Sequence, residues 1–292
     1  MTRTVSNAPR LPQSGNGGAA AKRYTLADVT KGGKGLPMKI VITGIPGIGK
    51  TSCAAQAVNP FFLLSPGETG INTLADNGLV PKDIPSLEIQ DWENLLSIIG
   101  ELQTKEHNRQ TLILDVVDGF EKLANHYVCV KDYSGDWSAK GFMSYQQGFR
   151  NVAAGPWRQL LQELDRLREI KRMAIILLAH TGIANFANPA GADYNRYTPT
   201  MYKDAWELTF GWAEAVLFGN RDISVTKEKL DRKAKGVGGQ SRIFYTEYSA
   251  IADAKNQYNL SPEIDMGNSG KEAWENFIKA KEAGKIGGKD GK

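Results

Sequence analysis

The stretch Gly44-Ile45-Pro46-Gly47-Ile48-Gly49-Lys50-Thr51 decides the fold, because it matches the pattern G-x-x-x-x-G-K-[ST] without a mismatch. Glycines at these spacings let the backbone turn its N–H groups inward around a phosphate, and the following helix adds its positive N-terminal end. The apolar run Met38 to Thr43 precedes the motif, and the helix-compatible run Thr51 to Val58 follows it. This order of strand, loop and helix is the context that a phosphate-binding loop requires, whereas a chance glycine-rich turn would not need it.

The loop predicts a nucleotide site with an associated Mg²⁺ ion. Lys50 can reach the β- and γ-phosphates, which predicts a catalytic role, and the Thr51 hydroxyl can coordinate the metal. Asp115 ends the buried run Thr111 to Leu114 and is predicted to hold the metal through water. The alternatives are a strand-ending aspartate that caps the next helix, or Asp118 in the metal role. The predicted nucleotide-binding residues are Gly44, Ile45, Pro46, Gly47, Ile48, Gly49, Lys50, Thr51 and Ser52.

Hydrolysis of a bound nucleotide also needs a group that orients or deprotonates water. Glu68 is the predicted group, because the turn after the predicted strand Phe61 to Ser65 would project it from the same sheet edge. His180 ends the most apolar predicted strand and is a predicted γ-phosphate sensor. A solvated loop glutamate and a structural histidine are the alternatives. His107 and His126 show no metal-ligand pairing and receive no role.

Apolar runs that alternate with helical patterns predict an α/β fold with a mainly parallel sheet and helices on both faces. Two helices are predicted around Trp92 to Leu102, with Asp91 as the capping residue, and around Trp157 to Leu167. Shorter, polar-alternating pieces at Ile223 to Thr226 and Ile243 to Glu247 predict a C-terminal β-hairpin added to the sheet. The predicted strands are Met38–Thr43, Phe61–Ser65, Thr111–Leu114, Met173–Ala179 and Ala213–Phe218.

Composition divides the chain into three predicted parts. Residues 1–36 are predicted to be a flexible basic arm with six Lys or Arg against one Asp. Their net charge of +5 exceeds the formal +4 of the whole chain, so the rest of the chain is not basic. Residues 37–266 form one domain, and residues 267–292 form a loosely ordered tail with at most a short helix over Lys271 to Lys281. Two cysteines and the lack of a long apolar segment lead us to expect a cytoplasmic protein with no membrane partner.

Three segments combine features that single-stranded DNA requires. Residues 131–156 and 181–200 mix aromatic rings, cations and glycine, which suit base stacking and phosphate contacts, and residues 227–242 are basic. The alternatives are surface loops whose aromatic rings pack on the core, and an edge strand protected by charge. The candidate DNA contacts are Trp137, Lys140, Arg150, Tyr194, Arg196, Tyr197, Lys233 and Lys235.

Taken together, the order of these motifs resembles the RecA-like ATPases. Glu68, Asp115 and Ala179-His180-Thr181 follow the phosphate loop in that order. Trp212 to Phe218 and Ala254-Lys255-Asn256 make the chain more similar to the phage-encoded RecA-like nucleotide-binding proteins associated with single-strand annealing and recombination. The resemblance covers about residues 37–266. It implies a RecA-like P-loop NTPase core that binds ATP and Mg²⁺, assembles as a ring or filament, and engages single-stranded DNA through loops after the strands ending at Asp115 and His180.

The resemblance also implies a trans-acting residue. In the related proteins a Lys-Asn-Arg segment helps complete the nucleotide site of a neighbouring subunit, which makes Lys255 the candidate here. Gln257 stands in place of the arginine. Because a cation that reaches the γ-phosphate across an interface can be worth about 10³ or more in rate, this substitution argues against strong DNA-stimulated hydrolysis. A surface lysine in an edge segment is the alternative for Lys255.

Three functions share this loop. The first is an ATPase that binds single-stranded DNA and supports phage recombination, annealing or repair, in the host cytoplasm if the protein is phage-encoded. The second is an ATP-dependent switch or binding module without strong hydrolysis, which Gln257 favours. The third is a P-loop small-molecule kinase, against which the chain offers no compact Arg-rich lid segment.

Overall fold

A computed structural model describes residues 25–29, 35–226 and 235–287. The chain divides into one unit at Met1–Gly35 and a second at Leu36–Lys292. In the described part of the first unit, Leu26–Asp28 form one 3-10 turn. Among the described residues, no helix is both long enough and apolar enough to cross a membrane.

The second unit is a mixed α/β structure in which strands and helices alternate as predicted. Its strands are β1 Lys39–Gly44, β2 Pro60–Leu64, β3 Ser86–Glu88, β4 Thr111–Asp115, β5 Ala174–Leu178, β6 Thr181–Phe186, β7 Tyr194–Pro199, β8 Ala215–Thr226, β9 Lys235–Tyr245, β10 Lys255–Asn256 and β11 Glu263–Asp265. Its α-helices are α1 Lys50–Ala54, α2 Gly70–Asp76, α3 Trp92–Thr104, α4 Val117–Tyr133, α5 Gln147–Val152, α6 Arg158–Ile170, α7 Lys203–Trp212 and α8 Gly270–Gly287.

Within the described residues the main sheet has nine strands, of which eight follow the order β11-β9-β8-β1-β5-β4-β2-β3, and β10 pairs with β8. All neighbours from β8 to β3 are parallel, while β9, β10 and β11 pair antiparallel with their neighbours. The predicted fold class is therefore confirmed, including the hairpin β8–β9. Parallel strands place their carboxyl ends at one edge, so the segments after β1, β2, β4 and β5 lie together there.

Helices cover both faces of the sheet. On one face, side chains such as Leu63 and Leu114 pack against α3, α4, α6 and α7. On the other face, side chains such as Ile42 and Phe62 belong to a second buried cluster that also contains residues of α1, α2 and α8. The predicted cap of α3 is confirmed, because the Asp91 carboxylate accepts a hydrogen bond from the Asn94 N–H at 2.8 Å.

Three local predictions were wrong. The helix after the phosphate loop ends at Ala54, because the chain turns to enter β2 at Pro60. Residues 181–200 are not a loop, since β6 and β7 form a separate two-stranded antiparallel sheet. Residues 131–156 are largely helical: α4 continues to Tyr133, and α5 leads through a π-helical turn into α6.

The prediction of a loosely ordered tail from residue 267 is also corrected. Helix α8 covers residues 270–287, and Ala273, Trp274 and Phe277 are buried in the core beside α1. The tail is rich in glycine, lysine and glutamate, but these apolar residues repeat at three- and four-residue spacing and form one buried helical stripe.

Candidate nucleotide site

The phosphate loop connects β1 to α1 at the carboxyl edge of the sheet. Gly44, Gly47 and Gly49 have φ values of 144°, 72° and 106°, a region that glycine adopts without a steric penalty. A side chain at Gly44 would also place its Cβ 2.3 Å from the carbonyl oxygen of Gly219 in β8. The glycine pattern therefore meets a backbone requirement of the loop as well as the chemistry of phosphate binding.

Lys50 and Thr51 occupy the first turn of α1. The Lys50 ammonium is buried and donates a hydrogen bond to the carbonyl oxygen of Gly44 at 3.0 Å, so it lies folded over the loop. The Thr51 hydroxyl donates to Asp115 Oδ2 at 2.9 Å. Residues from the ends of β1 and β4 are thus brought together, as the sequence predicted. Mg²⁺ prefers oxygen ligands such as hydroxyl and carboxylate oxygens, so the Thr51–Asp115 pair fits the metal.

The carboxyl and ammonium groups of this site are held out of water. Burial raises the pKa of Asp115 to about 6, although the hydrogen bond from Thr51 acts in the opposite direction. Burial lowers the pKa of Lys50, although Asp115, Asp118 and Glu68 all favour its charged form. A polyphosphate with a bound cation would add opposite charge beside both groups and favour their charged forms, which is the electrostatic reason for a ligand at this position.

Glu68 and His180 meet at the same edge. The distance from His180 Nε2 to Glu68 Oε1 is 4.0 Å. On its other side, His180 Nδ1 lies 3.1 Å from Asp118 Oδ2, and the backbone N–H of His180 donates to Asp118 Oδ1 at 3.0 Å. The hydrogen bond to Asp118 raises the pKa of His180. Asp118, predicted only as a substitute metal ligand, instead orients the predicted γ-phosphate sensor.

These groups line one cavity of about 490 Å³. The cavity is bordered by Lys50, Thr51, Glu68, Asp115 and His180, together with Pro46, Gly47, Gly49, Ser52, Gly70, Thr73, Leu74, Val116 and Arg242. Arg242 was not predicted as a site residue, because only the pairing of β9 with β8 brings it beside the phosphate loop. A second cavity of about 430 Å³ adjoins the first, and Glu68 and His180 line both.

Three candidate DNA contacts lie between α4 and α6. Trp137 keeps 41% of its surface exposed while its ring contacts Phe142 at a centroid distance of 4.7 Å. Lys140 and Arg150 are exposed. Nearby, Tyr145 is 92% exposed, so this segment presents aromatic and cationic side chains to solvent.

The candidate DNA contacts in the β6–β7 hairpin are less exposed than those between α4 and α6. Arg196 is buried and forms an ion pair with Asp253 at 2.7 Å, so the prediction that it contacts DNA is wrong in this structure. Tyr194 and Tyr197 are half-buried, and their rings pack on Phe186 and Phe218. Sequence could not show this, because Asp253 lies far along the chain from Arg196.

Of the remaining candidates, Lys255 lies in β10 and pairs with Val216 near the start of β8. Lys255 Nζ donates to the carbonyl oxygens of Phe210 and Gly211 at 3.0 and 2.9 Å, so its amine is bound within its own chain. Lys233 lies outside the described residues, and of Lys235 only the backbone pairing with Thr226 is described. A trans-acting role for Lys255 stays a prediction.

The sheet order and the loop define the class as a P-loop nucleotide-binding protein. The family model of the AAA domain matches residues 36–258, so the chain belongs to the AAA-domain family. Nucleotide binding, and nucleotide hydrolysis in general, are the properties of that class. A relative is the SPbeta prophage-derived uncharacterized protein YorG of Bacillus subtilis (strain 168), which is 33% identical over 102 residues. That alignment covers 33% of this chain and 28% of the relative, so this chain spans less than a third of the relative's length.

Proposed function

We propose that the protein is a Mg²⁺-dependent ATPase that acts in phage DNA metabolism. The observation that carries the proposal is the approach of Glu68 and His180, 4.0 Å apart, at the cavity that also contains Lys50 and the Thr51–Asp115 pair. A carboxylate at this edge can orient water toward a γ-phosphate held by the loop. The prophage origin of the relative supports the phage setting.

Each group has a defined task in this proposal. The loop N–H groups and Lys50 bind the phosphates, and Glu68 accepts a proton from the attacking water. His180 presents an N–H toward the γ-phosphate end of the cavity. Asp118 holds the imidazole in place and raises the pKa of His180 through their hydrogen bond. Thr51 and Asp115 would hold Mg²⁺, which neutralises phosphate charge when bound.

Phosphate release from ATP tests the hydrolytic part. We expect Lys50→Ala to abolish nucleotide binding, and Glu68→Gln to retain binding while reducing kcat by about 10²- to 10⁴-fold. Glu106→Gln is the matched control, because Glu106 is almost fully exposed and distant from the cavity. Full turnover in the Glu68→Gln variant would refute the role of Glu68, and failure of the wild-type protein to bind ATP would refute the proposal.

We propose single-stranded DNA as the partner, bound by a ring or filament of this chain. The exposed set Trp137, Lys140, Tyr145 and Arg150 supports this, since bases stack on aromatic rings and phosphates pair with cations. Fluorescence anisotropy with labelled oligonucleotides, with and without ATP, measures binding, and sedimentation measures assembly. DNA affinity absent in both nucleotide states would refute this part while leaving the ATPase intact.

A second candidate function is an ATP-dependent switch with little hydrolysis. Two observations favour it: Gln257 replaces a cation, and the Lys255 amine is bound to carbonyl oxygens of its own chain. The same assays separate the two functions, because a switch binds ATP tightly, changes its DNA affinity or assembly, and shows no turnover that depends on Glu68.

A further inference from the structure

The strand β9 places one arginine against the phosphate loop. Arg242 Nη1 donates to the carbonyl oxygen of Ile48 at 3.2 Å, and Ile48 lies between Gly47 and Gly49 of the loop. A Cβ at Gly49 would lie 2.8 Å from the same Nη1, so the guanidinium packs directly on the loop backbone. Arg242 is half-buried and borders the nucleotide cavity.

The other side of the guanidinium binds the segment that leads into α8. Nε and Nη2 donate to the carbonyl oxygen of Gly267 at 3.0 and 2.8 Å, and Nη2 also donates to Ser269 at 3.2 Å. One side chain therefore joins the phosphate loop to the C-terminal segment. Only a planar fork with donors on both edges can hold these two sets of oxygens at once.

We propose that Arg242 is a positioning residue that fixes the phosphate loop for nucleotide binding, and this rests on the proposed function of the loop. The Ile48 carbonyl and the Gly49 N–H belong to one planar peptide unit, so fixing the oxygen also fixes the direction of the N–H. That N–H is one of the donors that the loop offers to phosphate. Three glycines make the free loop entropically costly to order, and Arg242 reduces that cost before the nucleotide binds.

The C-terminal segment thereby acquires a role in the site. Gly267 and Ser269 anchor the guanidinium, and they in turn are held by α8, whose Ala273 and Phe277 are buried beside α1. Nucleotide affinity therefore depends on contacts about 220 residues along the chain from the loop.

Hydrogen–deuterium exchange of the amides at residues 47–50, measured without nucleotide, tests the inference directly. We expect at least about tenfold faster exchange in Arg242→Ala, because hydrogen bonds to a charged donor are lost. Arg242→Lys keeps the charge but not the fork, so we expect faster exchange there too. Arg221→Ala is the matched control, since exposed Arg221 lies opposite Arg242 in the hairpin and donates to Gly239 instead.

Binding of a fluorescent ATP analogue supplies the second measurement. We expect Kd to rise by about tenfold or more in Arg242→Ala, to rise less in Arg242→Lys, and to stay unchanged in Arg221→Ala. If Arg242→Ala does not fold, Arg242→Lys alone decides. Wild-type exchange and Kd in the folded Arg242 variants would overturn the inference. A wild-type protein that binds no nucleotide would refute the proposed function instead, because the exchange experiment does not require ATP.

Discussion

Replacing Asp115 by asparagine should make the protein more stable and inactive. The Asp115 carboxylate is buried, and burial raises its pKa to about 6 from an ordinary value of 3.8. Each unit of this difference corresponds to about 1.36 kcal/mol, so ionised Asp115 costs the folded state roughly 3 kcal/mol relative to the unfolded chain. An asparagine carries no charge, and its amide oxygen can still accept the hydrogen bond from Thr51.

The expected gain is smaller than this limit because Lys50 loses one of the carboxylates that favour its charged form. Asp118 and Glu68 remain, so we expect Asp115→Asn to raise the free energy of unfolding by about 1 to 3 kcal/mol at pH 7.5. The sign follows from protonation. Well below pH 3.8 Asp115 is neutral in both states and the variant gains nothing. The difference develops as the pH rises from 3.8 through about 6, and it is complete only when the pH is well above 6.

Urea unfolding followed by tryptophan fluorescence, with EDTA and without nucleotide, measures this difference at pH 4.5 and 7.5. Asp83→Asn is the control, because it removes the same charge from an exposed position. ATP hydrolysis by Asp115→Asn should be lost, since an amide is a poor metal ligand. If Asp115→Asn is no more stable than the wild type at pH 7.5, or if its advantage is the same at both pH values, the reasoning from burial fails.

Two further predictions concern α8 and the exposed aromatic segment. Phe277→Ala should lower the free energy of unfolding by about 3 to 5 kcal/mol, because the ring is 1% exposed and its removal leaves a cavity. Lys279→Ala on the same helix should change the free energy of unfolding little. Equal urea midpoints for the two variants would contradict the packing of α8. Trp137→Ala should weaken binding of single-stranded DNA by about 1 to 3 kcal/mol in the anisotropy assay, while Trp137→Phe retains a stacking ring. Unchanged affinity in Trp137→Ala would remove this residue from the proposed DNA surface.

Sequence predicted the parts of the site that are local. The phosphate loop is contiguous, and its glycines, Lys50 and Thr51 act through their immediate neighbours. Asp115 was found because it directly follows the apolar run Leu112-Ile113-Leu114, which is typical of a strand buried on both faces. The same patterns predicted a mainly parallel sheet, since alternating strands and helices allow few other arrangements.

Contacts between distant segments were beyond such patterns. Asp118 binds His180 across two strand ends, and Arg242 reaches the loop only through the register of β9 with β8. Arg196 illustrates the reverse error, because an arginine between aromatic residues fits a nucleic-acid surface as well as it fits a buried ion pair. A one-dimensional pattern does not specify which face of a strand is covered when the covering segment lies about 50 residues away.

The position of α8 shows that the end of the family match and the end of the folded unit are different residues. The family match ends at residue 258, yet the side chains that cover one face of the sheet continue to Phe277. A polypeptide cut at the end of the match would lack Ala273, Trp274 and Phe277 of the buried cluster on that face and would lose the carbonyl groups that hold Arg242. For this protein the region matched by the family model is shorter than the unit that folds, and recombinant versions should extend at least through residue 287.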